Sequence, residues 1–346
     1  MTSIRATSAP NIALIKYWGN RNEELRLPAA DSLSMTLDQP TVEVVVSQSE
    51  RFSARSFEKN DTERPLSVKE NARLERHFLL AKKYLDNIGV AGAFPASASV
   101  EIRSNIPKGI GLASSAAVFS ALAEAYGGFV NNLSRRDISI LARLGSGSAS
   151  RSVFGGFSAF VVGEGEELGS AYAEQIAPVG HWKLWDVIIV PSQEEKKTGS
   201  TEGHALARTS SLFEARLRDV PRRQKECIEA IREKDFGKLQ KVAEEDCLDM
   251  HAVMMSSTPP LRYLNDETHR IVRDIEELRT REHLAVLYTM DAGPTVHLVC
   301  EESALPAVQA FAHAQKGCIM FEAGIGGGSR RVWPSYQQSH LWHLYK

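Results

Sequence analysis

Residues 107–116 read P-K-G-I-G-L-A-S-S-A and run directly into the alanine-rich stretch 115–130. Glycines let a backbone approach a ligand closely, and the first N–H groups of a helix are unpaired donors at the positive end of its macrodipole. Such a segment suits a phosphate chain, with Ser114 and Ser115 adding hydroxyls for phosphate or Mg2+. No G-K-[ST] follows, so this is not a Walker A loop. Taken alone, it reads equally as a strand-to-helix turn with serine caps.

Working outward, residues 41–47 and 97–103 alternate as half-buried strands, and 184–190 is an apolar run ended by Pro191. Residues 67–88 carry helical spacing, with Ser67 placed to cap the start and Gly89 just past the end. Helices are also expected over 115–130, 137–144, 261–280 and 305–315. The stretch 202–255 is charged and helical, interrupted at Pro221 and again at 235–237. Residues 284–290 and 295–300 flank D-A-G-P as two strands with a tight turn, and 324–328 is a glycine-rich loop. Strands and helices mix without strict βαβ alternation, which predicts an α+β fold with a domain boundary near 180–190.

Three other stretches hold candidate chemistry. A-P-N-I-A-L-I-K-Y-W-G-N-R, residues 9–21, ends an apolar run on Lys16, beside Tyr17 and Trp18. In G-S-G-S-A-S-R-S-V-F-G-G, residues 145–156, four serines surround Arg151, whose planar guanidinium can grip a carboxylate; a polar loop with a surface arginine accounts for the same letters. In T-M-D-A-G-P, residues 289–294, Asp291 follows an apolar strand, where it can act as a base or simply serve a turn. Together, a phosphate loop, an arginine, an aspartate and a lysine are the parts needed to phosphorylate a hydroxyl-bearing organic acid.

Composition narrows the class. The 346 residues are 43% hydrophobic and 24% charged, with a formal net charge of −2. That is enough apolar material for one large or two medium cores, and no bulk charge points to nucleic acid or a membrane surface. The four cysteines, Cys227, Cys247, Cys300 and Cys318, lack metal-site or disulfide-framework spacing and read as reduced thiols. No apolar signal core opens the chain and no stretch approaches the ~20 apolar residues of a membrane span, so a cytoplasmic protein is expected.

The ordered run of A-P-N-I-A-L-I-K-Y-W-G, D-S-L-S-M-T-L (residues 31–37), G-L-A-S-S-A-A, L-A-R-L-G-S-G-S-A-S-R-S-V-F-G-G-F and Y-T-M-D-A-G-P resembles the mevalonate diphosphate decarboxylase family of the GHMP small-molecule kinases. The likeness spans roughly residues 5 to 331 and leaves the aromatic tail 332–346 outside. It implies the GHMP kinase fold: an N-terminal ribosomal S5-like α/β domain over 1–185 and a C-terminal ferredoxin-like split-βαβ sandwich over 186–346. The site would lie between them, and a homodimer is expected. The implied reaction uses ATP and Mg2+ to phosphorylate the tertiary 3-hydroxyl of a 5-phosphorylated mevalonate, after which phosphate and CO2 leave.

The resemblance also assigns roles. Asp291 matches the catalytic aspartate, Arg151 the arginine for the C1 carboxylate, and Lys16 a lysine directed at Asp291 and the substrate. Asn11, Tyr17, Ser146 and Ser148 match substrate-side groups, and Pro107, Gly109, Gly111, Leu112, Ala113, Ser114 and Ser115 the nucleotide loop, the two serines with Mg2+. Two departures cluster at the phosphate end. Asn20 stands where K-Y-W-G-K has a lysine, and Ser200-Thr201 falls where an S-S-R pattern places Thr201 in the position of an arginine. Thr295 replaces a usual asparagine. Two missing cations favour mevalonate 5-phosphate, giving isopentenyl phosphate, over the alternative, mevalonate 5-diphosphate giving isopentenyl diphosphate. A 3,5-bisphosphate decarboxylase, a 3-kinase that stops before CO2 loss, and an inactive sensor of isoprenoid phosphates are the rival readings.

Overall fold

A computed structural model of the chain describes residues 2–58, 60–104, 114–130, 132–191 and 199–332. The nucleotide-loop candidates Pro107, Gly109, Gly111, Leu112 and Ala113 lie outside the described residues, as does the tail from 333 onward.

The first half is built on two large sheets and a two-stranded hairpin, Asn20–Asn22 with Leu27–Pro28. Six strands lie in the order Arg330–Arg331, Ser3–Ser8, Val42–Gln48, Ala98–Ser104, Ser53–Glu58 and Glu63–Arg64. Val42–Gln48 alternates buried and half-buried residues, as its sequence pattern requires of a strand with one face on the core. A second sheet orders Tyr172–Ala177, Phe157–Val161, Ser32–Thr36 and Asn11–Ile15. Helix α1 (Val68–Asn87) opens with a capping box in which Ser67 and Glu70 satisfy each other's backbone N–H groups. Helix α2 (Ser114–Gly127) packs on strands Ser3–Ser8 and Val42–Gln48, and α3 (Arg135–Gly145), capped by Ser134, packs on α2 and on Tyr172–Ala177. The serine-rich segment expected as a polar loop instead contains a short buried helix, α4 (Ala149–Ser152), because its small residues let it sit beneath α2 and α3.

The second half begins with Leu184–Val190, one of four strands ordered Val286–Thr289, Val296–Glu301, Leu184–Val190 and Ile319–Gly324. Its helices are α5 (Ser200–Leu206), α6 (Phe213–Glu233), α7 (Phe236–Met255), α8 (Asp266–Glu282) and α9 (Leu305–His313). The break expected at Pro221 does not occur: α6 runs through it. An interior proline costs a helix about 3 kcal/mol, and the packing of α6 along α7, with Val220, Cys227 and Ile231 fully buried, opposes that cost. The chain turns instead at Lys234, which is left-handed, and Asp235 caps α7.

One apolar cluster joins Ile12 and Met35 of the first half to Ile188, Leu239 and Leu287 of the second. The glycine-rich run 324–328 closes the same seam. Gly326 donates to Thr36 O at 2.8 Å and accepts from Gly156 N at 3.0 Å, and a Cβ on Gly326 would lie 2.1 Å from Leu37 O. These glycines therefore serve chain-to-chain contact. Cys227, Cys247 and Cys300 are buried thiols and Cys318 is a half-buried one. Among the described residues no helix is long and apolar enough to cross a membrane.

Candidate active site

The buried strand Asn11–Ile15 delivers Lys16 to the seam between the halves, where Nζ lies 2.7 Å from Oδ1 of Asp291. Lys16 is 1% exposed and Asp291 31%, so the pair has one face open to the cleft. Asp291 follows strand Val286–Thr289, whose end is fixed by Met290 N donating to Cys247 Sγ of α7 at 3.2 Å. Burial pushes the Asp291 carboxyl up, but Lys16, His297 and Arg151 outweigh it and hold it below the usual carboxylate range. His297 is itself anchored, with Nδ1 donating to buried Asp186 at 2.8 Å. A carboxylate kept ionised next to an ammonium can take or orient a hydroxyl proton.

Arg151, expected on a loop, projects from α4 and is 2% exposed. Nε donates to Ser34 Oγ at 3.0 Å, one terminal nitrogen to Ser32 Oγ at 2.5 Å, and the other to Asn11 Oδ1 at 3.3 Å. These partners are neutral, so the guanidinium keeps its full charge for a ligand. Burial pulls its pKa down to about 10, opposed by Asp291 and Tyr17, which leaves it cationic at neutral pH. Asn11 in turn donates to Ser148 O at 3.0 Å and Ser152 Oγ at 2.7 Å. The Ser146 hydroxyl lies 3.2 Å from both Ser148 Oγ and Ser115 Oγ. This hydroxyl chain links the start of α2, opened by Ser114, to the Arg151 segment.

A third group surrounds Tyr17. Its hydroxyl donates to Asn20 Oδ1, and Asn20 Nδ2 donates to Glu23 at 2.8 Å. Burial raises the Tyr17 pKa to about 12. Gly147 abuts the ring, where a Cβ would come within 2.4 Å of Tyr17 Cζ. His204 of α5 lies against both aromatic neighbours, with ring centroids 4.4 Å from Tyr17 and 4.6 Å from Trp18. Its Nδ1 accepts from Gly19 N at 2.9 Å, and burial lowers its pKa to about 3, so it is neutral. Ser200 and Thr201 open α5 exposed to solvent.

The structure thus forms a Lys16–Asp291 pair and a hydrogen-bonded group of Arg151, Asn11, Ser148, Ser146 and Ser115, with Arg151 acting electrostatically on Asp291, while Tyr17 and Asn20 bond to each other. Sequence reasoning missed Ser32 and Ser34, Asp186 with His297, Asp246 and His204. The first two carried a signal: alternate serines in D-S-L-S-M-T-L put both hydroxyls on one strand face. Asp246 lies within a charged helix with nothing local to mark it.

A two-part α+β fold with a lysine–aspartate pair at the seam and a buried arginine bonded to neutral groups suits an enzyme acting on a small anionic molecule. The comparisons with known proteins narrow the class. Residues 8–172 match the family described as diphosphomevalonate decarboxylase-like N-terminal domain, and 186–319 match mevalonate 5-diphosphate decarboxylase C-terminal domain. A diphosphomevalonate decarboxylase of Candida albicans is 35% identical over 313 residues, 88% of this chain and 85% of that protein. One from Homo sapiens is 35% identical over 308 residues, 85% of this chain and 76% of that protein. The structure described as MDDEF in complex with MVAPP, AMPPCP and magnesium superposes with a TM-score of 0.83 at 32% identity, covering 95% of this chain and 98% of that one. The chain belongs to the mevalonate diphosphate decarboxylase family of the GHMP superfamily. It is an ATP-dependent decarboxylase of the mevalonate pathway.

One expectation is corrected. The lean toward a 5-monophosphate substrate is overturned by relatives matched along the chain, which are diphosphomevalonate decarboxylases, and by the likeness to a complex with MVAPP. The lean counted cations at two motif positions, Asn20 and Thr201. That count leaves out charge brought from elsewhere in the fold: Arg26 acts electrostatically on both Tyr17 and Arg73.

Proposed function

We propose that the protein converts mevalonate 5-diphosphate and ATP to isopentenyl diphosphate, ADP, phosphate and CO2. The observation that carries this reading is the 2.7 Å Lys16–Asp291 pair beside an Arg151 bonded to neutral partners alone. In it, Asp291 takes the proton of the tertiary 3-hydroxyl as that oxygen attacks the γ-phosphorus of ATP. A tertiary alcohol is a crowded nucleophile, so positioning by Ser146, Ser148 and Asn11 supplies much of the rate. Arg151 grips the C1 carboxylate and fixes its plane. The C1–C2 bond then breaks, its electron pair forms the C2–C3 double bond, and the C3–O pair leaves with phosphate while Lys16 offsets the negative charge.

The start of α2 fits the nucleotide: a 14-residue helix preceded by a glycine-rich stretch presents its positive end, with Ser115 in its first turn. Ser115, with the Ser146 and Ser148 hydroxyls beside it, would supply hard oxygen donors for Mg2+. When bound, Mg2+ neutralises charge on the triphosphate. Tyr17 serves the 5-diphosphate end, with Asn20, Ser200 and Thr201 as its polar rim. This reading keeps the division into 1–185 and 186–346 and takes the protein as a homodimer, which light scattering tests.

The functional test measures ADP and CO2 with the 5-diphosphate. Equal amounts of both are expected, and Asp291→Asn should cut turnover by roughly two to four orders of magnitude with ATP affinity unchanged. ADP without CO2, or normal turnover by the variant, rejects the assignment.

A further inference from the structure

If the substrate is the 5-diphosphate, the chain must balance its charge without the lysine that Asn20 replaces. Asn20 is unsuited to the task, since Oδ1 and Nδ2 are engaged by Tyr17 and Glu23. Thr201 is neutral and exposed.

Besides Arg151, the guanidinium groups of Arg26, Arg73 and Arg143 interact electrostatically with Tyr17. Arg73 of α1 donates to Gly145 O at 2.8 Å and lies 4.6 Å over the Phe119 ring. Arg143 of α3 donates to Leu168 O and is fully buried. Each has a main-chain carbonyl that holds it in place, and Arg143, whose Nε and Nη1 find no partner among the described residues, is too deeply buried to meet a ligand at the cleft surface. Arg26 differs from them. It closes the hairpin between Asn20–Asn22 and Leu27–Pro28, it is half-buried, and among the described residues it makes no hydrogen bond or ion pair. The hairpin is held at a fixed place: Arg76 of α1 donates to Glu24 O at 3.1 Å, and Leu27 is fully buried in a cluster with Phe160, against which Tyr17 packs. Arg26 sits at φ +50°, a conformation that disfavours side chains bearing a Cβ. It is also the strongest charge acting on Tyr17, on Arg73 and on His204.

Arg26 is half-withdrawn from water and without a partner among the described residues, so its donors are free for an anion. The 5-diphosphate carries about one more negative charge than the 5-monophosphate, whose phosphate is itself at about −1.5 to −2 near pH 7, so a cation at this end favours the substrate with the added phosphate. We propose that Arg26 binds the terminal phosphate of the 5-diphosphate, taking over from the cation missing at position 20 and setting the preference for diphosphate over monophosphate. This rests on the function proposed above.

The test is steady-state kinetics with the 5-diphosphate and the 5-monophosphate on the wild-type enzyme, Arg26→Gln, Arg26→Gly and Arg26→Gln/Asn20→Lys. Removal of one charge-assisted contact should raise KM for the diphosphate about tenfold or more, with kcat within about twofold and KM for ATP unchanged. Glycine suits φ +50°, so the same KM rise in Arg26→Gly excludes strain as its cause. Adding lysine at position 20 should recover most of the lost affinity. A diphosphate KM unchanged in both single variants, in an enzyme that turns over the diphosphate, overturns the role of Arg26 and leaves the function standing. A wild-type enzyme that decarboxylates the monophosphate alone overturns both.

Discussion

The main-chain N–H of Lys16 donates to Oδ2 of Asp246 at 2.6 Å, across the boundary between the two halves of the fold. Arg216 completes the clamp, donating to Lys16 O at 3.0 Å and to both Asp246 oxygens. Asp246 is fully buried and Arg216 is 1% exposed. The ammonium that meets Asp291 is therefore aimed by its own backbone, which two helices of the second half hold. Truncating one member of a buried ion pair costs about 3–5 kcal/mol because the partner charge is stranded. Asp246→Ala should lose stability of that order in urea unfolding. Asp246→Asn, which keeps an acceptor for Lys16 N–H, should retain more stability and still lower kcat, because the Lys16 backbone is held less firmly.

Lys16→Met tests the electrostatics directly. Lys16 is the largest of the influences that keep Asp291 below its ordinary range against burial. Without it, the desolvated carboxyl favours its protonated form. The acidic limb of the kcat/KM–pH profile should move to higher pH, and kcat should fall at every pH because charge on departing phosphate is no longer offset. An acidic limb at its original pH would show that Lys16 does not tune Asp291.

Much of this site was legible in the letters, and the reason is local. Lys16 and Asp291 each follow an apolar strand in a short distinctive string, so their elements could be read; Arg151 stood out by its string alone, since its serine-rich segment reads as a loop and folds as α4. The long-range clamp was not legible, since Asp246 lies 230 positions from Lys16 in a helix full of other acids. Pro221 misled for a related reason: helix propensity is local, whereas the packing that carries α6 through the proline is tertiary. The substrate lean failed in the same way. It weighed charges at two aligned positions, and Arg26 and Arg73 arrive from a hairpin and from α1.

Gly147 offers a probe of substrate placement that leaves the charged groups intact. A methyl group there would stand 2.4 Å from Tyr17 Cε1 and Cζ, well inside contact distance, so the ring must move. Overpacking of this kind costs about 1–3 kcal/mol. Gly147→Ala should raise KM for the phosphorylated substrate by about tenfold or more on that scale, with ATP affinity nearly unchanged. Equal losses for both substrates would place the effect on the whole cleft.

Buried neutral histidines give the fold a built-in acid sensitivity. Burial lowers His77 and His251 to about 4 and His204 to about 3. In the unfolded chain each titrates near its ordinary value of about 6.5. A depressed folded value means the unfolded state binds the proton first, so the contribution is complete above about pH 6.5 and declines as pH falls toward the folded value. Each group accounts for about 1.4 kcal/mol per pH unit within that window, or about 2 kcal/mol by pH 5. His77 is the cleanest to test because it lies in the core, where Nε2 donates to Leu141 O at 2.8 Å and the ring meets Phe119 and Tyr126. His77→Gln can keep a donor for that carbonyl without a titrating ring. Its unfolding free energy, followed in urea from pH 7 to pH 5, should fall less steeply than that of the wild type, by about one histidine's share. Parallel slopes would mean that His77 titrates alike in the folded and unfolded chains.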